Sequence, residues 1–233
     1  GLTVGGSGSS YTLNLSTVTA LAGNYVLTLV AGSSGIQDAA GNLLSANATD
    51  NWTTDTTAPT ADIVDITPDP RNTSVGLVTI NFTEPVTGLD IGDLTLIRDG
   101  APVSLSGLTV GGSGSSYTLN LSTVTALAGN YVLTLVAGSS GIQDAAGNLL
   151  SANAADNWTT DTTAPTADIV DIGPDPRNTS VGAVTINFTE PVTGLDISDL
   201  TLTRDGAPVS LSGLTVSGRG SSYTLNLRTV SVW

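Results

Sequence analysis

The side chains in this sequence able to do chemistry are almost all oxygen donors. Its 233 residues hold 20 Asp and Glu against six basic residues, every one Arg, for a formal net charge of −14, with no His, Cys, Met or Lys. General acid–base work has no imidazole to draw on, and covalent catalysis has no thiol or amine nucleophile. A pair of carboxylates could serve a glycosidase, but nothing in the sequence singles one pair out from the rest. The chain therefore reads as non-enzymatic. Disulfides and thiolate metal sites are excluded outright. The acidic balance argues against nucleic-acid binding, which calls for Lys and Arg patches. That balance suits a solvated surface or a hard divalent cation: Ca²⁺ takes six to eight oxygens from carboxylates, carbonyls and Asn amides. Candidate ligands recur at Asp38-Ala39-Ala40-Gly41-Asn42 and Asp144-Ala145-Ala146-Gly147-Asn148, and at Glu84 and Glu190 in Phe-Thr-Glu-Pro-Val.

These recurrences come from a long internal repeat that has to position them. Gly1-Leu2-Thr3-Val4-Gly5 returns as Gly107-Leu108-Thr109-Val110-Gly111, and Gly213-Leu214-Thr215-Val216 opens a third copy, so the period is 106 residues. The first two copies differ at only five positions: Thr49/Ala155, Thr67/Gly173, Leu77/Ala183, Gly92/Ser198 and Ile97/Thr203. Solenoid units run roughly 20–50 residues, whereas self-sufficient domains run about 100–150. The sequence thus predicts beads on a string: the C-terminal part of a repeat at 1–57, a complete repeat at 58–163, and the N-terminal part of another at 164–233. Residues 77 and 97 are read as outward-facing, and 49, 67 and 92 as loop positions.

Within the complete repeat the periodicity is that of strands. Val78-Thr79-Ile80-Asn81-Phe82-Thr83 alternates strictly, which puts Val78, Ile80 and Phe82 on one face. Leu94-Thr95-Leu96-Ile97-Arg98 leads into Asp99-Gly100, the two-residue signal for a type I′ hairpin. Pro102 marks the return segment as an edge strand. A Gly/Ser tip at 111–116 separates Leu108–Val110 from Tyr117–Leu121. Tyr131–Val136 is the most apolar run, and Asn157–Thr160 is the last. Seven or eight short strands in about 100 residues predict an antiparallel Greek-key β-sandwich, with Val78, Ile80, Phe82, Leu96, Leu119, Leu121, Tyr131, Leu133 and Leu135 in its core. Gly129-Asn130-Tyr131 has the look of a tyrosine corner.

Asp55-Thr56-Thr57-Ala58-Pro59-Thr60, Phe82-Thr83-Glu84-Pro85-Val86, Asp144-Ala145-Ala146-Gly147-Asn148 and Trp158–Pro165 together resemble the bacterial immunoglobulin-like repeats of large surface proteins and adhesins. The resemblance implies tandem immunoglobulin-like sandwiches in an extracellular, cell-surface array, often with Ca²⁺ at domain junctions, and no enzymatic activity.

In a sandwich, the loop before the last strand and the exit of that strand are expected near the pole where the next domain begins. On that reading Asp144 and Asn148 join Asp161, with Asp168 or Glu190 from the following domain. The matching set one repeat earlier is Asp38, Asn42, Asp55, Asp62 and Glu84. The same Asp and Asn residues also favour turns, and surface carboxylates aid solubility.

Asp90 and Asp93, like Asp196 and Asp199, read as capping side chains in a turn. Gly111–Ser116 cannot be a phosphate loop, since no Lys is present and no helix follows. No run is long and apolar enough to span a bilayer as a helix. Two function classes are open. One is a spacer whose partners are neighbouring copies of itself, in the same chain or head to tail by strand complementation. The other is an adhesin module whose loops or edge strand engage a glycan or protein.

Overall fold

The computed structural model describes residues 1–227, and the chain divides into two compact units, Gly1–Thr162 and Thr163–Trp233. The first unit contains the complete repeat together with residues 1–57. The strands, in chain order, are β1 (Val4–Ser7), β2 (Ser10–Leu13), β3 (Gly23–Leu29), β4 (Ala48–Thr54), β5 (Ala61–Ile63), β6 (Leu77–Val86), β7 (Leu94–Arg98), β8 (Ala101–Val103), β9 (Val110–Asn120), β10 (Gly129–Leu135) and β11 (Ala154–Thr160). The second unit adds β12 (Ala167–Ile169), β13 (Ala183–Val192), β14 (Leu202–Arg204), β15 (Ala207–Val209) and β16 (Val216–Asn226).

In the complete repeat, β5-β6-β9 form one antiparallel sheet and β11-β10-β7-β8 the other. The chain crosses between sheets as β9 returns to β6 and β10 returns to β7, which makes an all-β, immunoglobulin-like sandwich. Period-two patterning explains which faces meet: along β6, Val78, Ile80 and Phe82 are buried while Leu77 and Asn81 point outward. All nine residues expected in the core are buried there. Trp158 joins them, stacked on Tyr131 with ring centroids 5.3 Å apart. The Tyr131 hydroxyl donates to the Leu127 carbonyl at 2.8 Å, the bond that defines a tyrosine corner.

Turn chemistry follows the sequence closely. Arg98 pairs with Ala101 across Asp99-Gly100, whose φ values of 50° and 83° are those of a type I′ turn, and β8 is the sheet edge. Asp90 and Asp93 form a capping box around one 3₁₀ turn. At the Gly/Ser tip the chain doubles back inside β9. A Cβ on Gly112 would lie 2.5 Å from the Ser116 carbonyl oxygen and 2.9 Å from the Tyr117 Cα.

Two expectations on local structure change. Val136 lies beyond the end of β10, and Thr49 and its counterpart Ala155 lie within β4 and β11 rather than in loops, because the last strand begins earlier than its aromatic centre suggests.

The flanking copies keep local structure but lack a closed core. Residues 1–57 form the hairpins β1–β2 and β3–β4, with Tyr25 stacked on Trp52 at 5.6 Å, yet β3 is exposed along nearly its whole length. The second unit contains the sheets β12-β13-β16 and β14-β15.

Candidate metal centre

Asp55, Glu84 and Asp144 each bring a carboxylate oxygen to within 4.8 Å of the others. The entry linker, β6 and the loop between β10 and β11 deliver them. Asp144 opens the loop between β10 and β11, which its own carboxylate organises. Its Oδ1 accepts from the backbone N–H groups of Ala146 and Asn148 at 2.8 Å, and its Oδ2 accepts from Asn148 Nδ2 at 2.8 Å. Gly147 takes φ +91°, a left-handed conformation that glycine reaches without steric cost. Ile142, fully buried, and Leu150, which donates its N–H to the Ile142 carbonyl, pin the loop to the core.

Glu84 owes its place to an irregularity. The pairing of β6 with β9 runs in register from Leu77 to Asn81 and resumes only at Val86, so Glu84-Pro85 is released from the ladder. Asp55 arrives on the linker that leads into the sandwich. That linker is docked: Thr60 donates its N–H to Thr83 Oγ1 and accepts from the Thr83 N–H, both at 3.0 Å. Asn148 Nδ2 also donates to the Asp55 carbonyl at 3.2 Å. Asn148 thus touches two of the three acidic residues through its amide N–H₂.

The electrostatics are uneven. Glu84 is pushed above the usual glutamate range, first by burial and then by the charges of Asp144 and Asp55. Asp144, only 5% exposed, is held below the usual aspartate range, first by the Asn148 side-chain bond and then by backbone N–H groups of the loop. The equivalent Asp38 is held down in the same way by Asn42, although it is exposed. The loop therefore makes its own hydrogen bonds wherever it occurs. Among the described residues, three convergent carboxylates are found in the complete sandwich. Chemically, such a cluster suits a hard divalent cation, with oxygen ligands and no nitrogen or sulfur donors.

The structure groups the sequence candidates differently from the expectation. Asp144 and Asn148 lie with Asp55 and Glu84 rather than with Asp161. The β10–β11 loop sits at the pole where the chain enters its own sandwich, and β11 carries the chain away to the other pole. There Thr160 pairs with Gly129, and Asp161 donates its N–H to the Arg71 carbonyl. Asp62 lies in β5 opposite Asn81, exposed and outside the cluster. Asp38 and Asn42 bond to each other in the first copy of the loop. Asp168 pairs across from Asn187 in the second unit, and Glu190 lies in β13 of that unit. Strand direction at the last strand was the missing information; the ligand types themselves were recognisable.

Among the described residues no helix is long and apolar enough to cross a membrane. Residues 55–160 match the family model described as bacterial Ig-like domain. No curated protein matches the chain. Among solved structures, the chain is similar to the N-terminal part of the bacterial S-layer protein SbsC, at 12% sequence identity and a TM-score of 0.30. That alignment covers 56% of this chain and 40% of the other, so the chain spans well under half the length of that structure.

Proposed function

We propose, from the match of residues 55–160 to the bacterial Ig-like domain model, that the chain is a non-catalytic structural stretch of an extracellular bacterial surface protein. Its near-identical modules supply length, and Ca²⁺ bound at the entry pole fixes the linker to the module that follows it. One observation carries this reading: Asp55 belongs to the linker, whereas Glu84 and Asp144 belong to the sandwich, and their carboxylates converge within 4.8 Å. Shared coordination of one cation would couple the two, converting a short Thr- and Pro-containing connector into a fixed joint. Burial first, and then the charges of Asp144 and Asp55, disfavour ionised Glu84, and a divalent charge at the cluster offsets both. The absence of His, Cys and Lys, and the generally non-catalytic character of the family, support a mechanical role over a chemical one.

Amide hydrogen exchange tests the joint directly, because it reports local opening segment by segment. With millimolar Ca²⁺ replacing chelator, exchange should slow at residues 55–57 and 141–148 and stay unchanged at the Gly112–Ser116 tip. Equal exchange at 55–57 in both conditions would remove the case for a cation-fixed linker.

A further inference from the structure

In the complete repeat, the segment that follows β5 changes sheets. Val64 still bonds β6, donating its N–H to the Thr79 carbonyl at 3.0 Å. From Ile66 to Arg71 the chain runs instead beside β11, and in the same direction, since Arg71 and Thr160 form a parallel bridge. Four hydrogen bonds join the two segments. Ile66 donates its N–H to Asp156 Oδ2 at 2.9 Å, and Thr159 donates its N–H to Asp69 Oδ1 at 2.8 Å. Arg71 donates its N–H to the Thr159 carbonyl at 2.9 Å, and its own carbonyl accepts from the Asp161 N–H at 2.7 Å.

The sequence explains why half of these bonds use side chains. Pro68 and Pro70 have no N–H to give, so a regular parallel ladder cannot run through Pro68-Asp69-Pro70. Two carboxylates replace it: Asp69 accepts from the β11 backbone, and Asp156 reaches from β11 back to Ile66. Both ends of the segment are anchored. Ile66 is buried in the core. The Arg71 guanidinium donates from Nε to the Thr73 carbonyl at 2.8 Å and from Nη2 to the Ser74 carbonyl at 3.1 Å, which closes the turn toward β6.

We propose that segment 66–71 and β11 form a mechanical clamp, the site that bears tension applied along the chain through the complete repeat. The clamp rests on the reading of this chain as a structural stretch, because that role is what puts the repeat under load. It is distinct from the cation cluster: Asp55, Glu84 and Asp144 tie the linker to the sandwich, whereas Asp69 and Asp156 hold the sandwich closed.

The direction of the two segments decides how they meet a load. The chain enters at the pole of the Asp144 loop and leaves at the far end of β11. Tension from the entry side draws 66–71 back toward the entry pole, and tension from the exit side draws β11 the opposite way. Two parallel segments are then sheared along their length, so their hydrogen bonds share the load and must break together. A hairpin pulled at its open end loses its bonds one at a time. Because one segment lies near the start of the repeat and the other at its end, force passes directly between them, and the core behind them is loaded only after they part.

The chain has no Cys, so pulling handles can be attached at chosen residues of the full 233-residue protein. Handles at Thr57→Cys and Thr162→Cys load the clamp from end to end. Handles at Ser113→Cys and Thr162→Cys span the same two poles without pulling on 66–71, because Gly114 pairs with Val86 and Thr87 with Gln143, beside the Asp144 loop. Single-molecule unfolding at a fixed load reads the unfolding rate rather than equilibrium stability. Asp69→Ala and Asp156→Ala each remove a charged acceptor, and each should raise the end-to-end rate at least about tenfold while changing the Ser113 rate less than about threefold. Asp69→Asn keeps an oxygen for the Thr159 N–H and should stay near the parent. Tyr131→Phe loses a hydrogen bond away from the clamp and should leave the end-to-end rate within about threefold of the parent. Alanine variants that unfold at the parent's rate, equal acceleration in both pulling directions, or Asp69→Asn as fast as Asp69→Ala would each overturn the proposal. All arms are run in chelator, so failure of the clamp and failure of the cation-fixed linker are read separately.

Discussion

Glu84 and Asp144 share one cluster and are pushed in opposite directions, which gives the Ca²⁺-free domain a distinctive pH response. Glu84 titrates above its ordinary 4.5 in the folded state, so its ionised form opposes folding. That opposition is relieved as pH falls through the raised folded value, and stability rises on going from neutrality toward about pH 4.5. Asp144 titrates below its ordinary 3.8, so its contribution is complete above that pH and is lost as pH falls through the lowered value. In chelator, thermal melts across this range should show Glu84→Gln flattening the upper limb and leaving the acid limb in place. A Glu84→Gln profile that overlays the parent between neutrality and pH 4.5 would contradict the raised titration of Glu84 by burial and by its two acidic neighbours. Tyr131 makes a separate residue-scale prediction. Removing the hydroxyl that donates to the Leu127 carbonyl, in Tyr131→Phe, should cost about 0.5–1.5 kcal/mol in urea denaturation. Truncating the fully buried Leu133 to Ala should cost more, about 2–5 kcal/mol.

Elements that carry their own local signal were legible in the sequence. Asp99-Gly100 named its turn type, Pro102 named an edge, and the alternation at Val78–Phe82 named the buried face, because each depends on residues within a few positions of one another. The Gly112 fold-back is of this kind, and it sets a sharp expectation. With φ +96° and the Ser116 carbonyl 2.5 Å from any added Cβ, Gly112→Ala should destabilise the repeat by more than about 1 kcal/mol. Gly138 has a negative φ and open space, so Gly138→Ala should fall within about 0.5 kcal/mol of the parent. Comparison of the two variants by urea denaturation checks this, and equal losses would mean that the fold-back is not constrained. The grouping of the carboxylates was harder to read. Asp144 and Asp55 are 89 positions apart in sequence, and their meeting depends on which pole β11 leaves, a property of topology that no local pattern encodes. Glu84 needed the register shift between Asn81 and Val86, and nothing in Thr83-Glu84-Pro85 beyond the proline announces it.

At the scale of the whole molecule, repetition makes one chain its own control. One copy of the repeat is complete and folded around a closed core, and residues 1–57 and 164–227 carry the later and earlier parts of it. Trp158 is 2% exposed, whereas Trp52, in an identical stretch, is only half-buried. On the proposed function, length comes from copy number and stiffness from the cation at each junction. The claim that most needs testing is that a cation joins linker to sandwich at Asp55, Glu84 and Asp144. Thermal melting of the 233-residue chain in millimolar Ca²⁺ and in chelator, beside Asp144→Ala, is the direct measurement. Ca²⁺ at about 100 times its dissociation constant adds about 2.7 kcal/mol, and each kcal/mol moves the midpoint of a domain this size by about 4–8 °C. The account predicts a rise of at least several degrees for the parent and none for Asp144→Ala; superimposable parent curves in Ca²⁺ and chelator would contradict it.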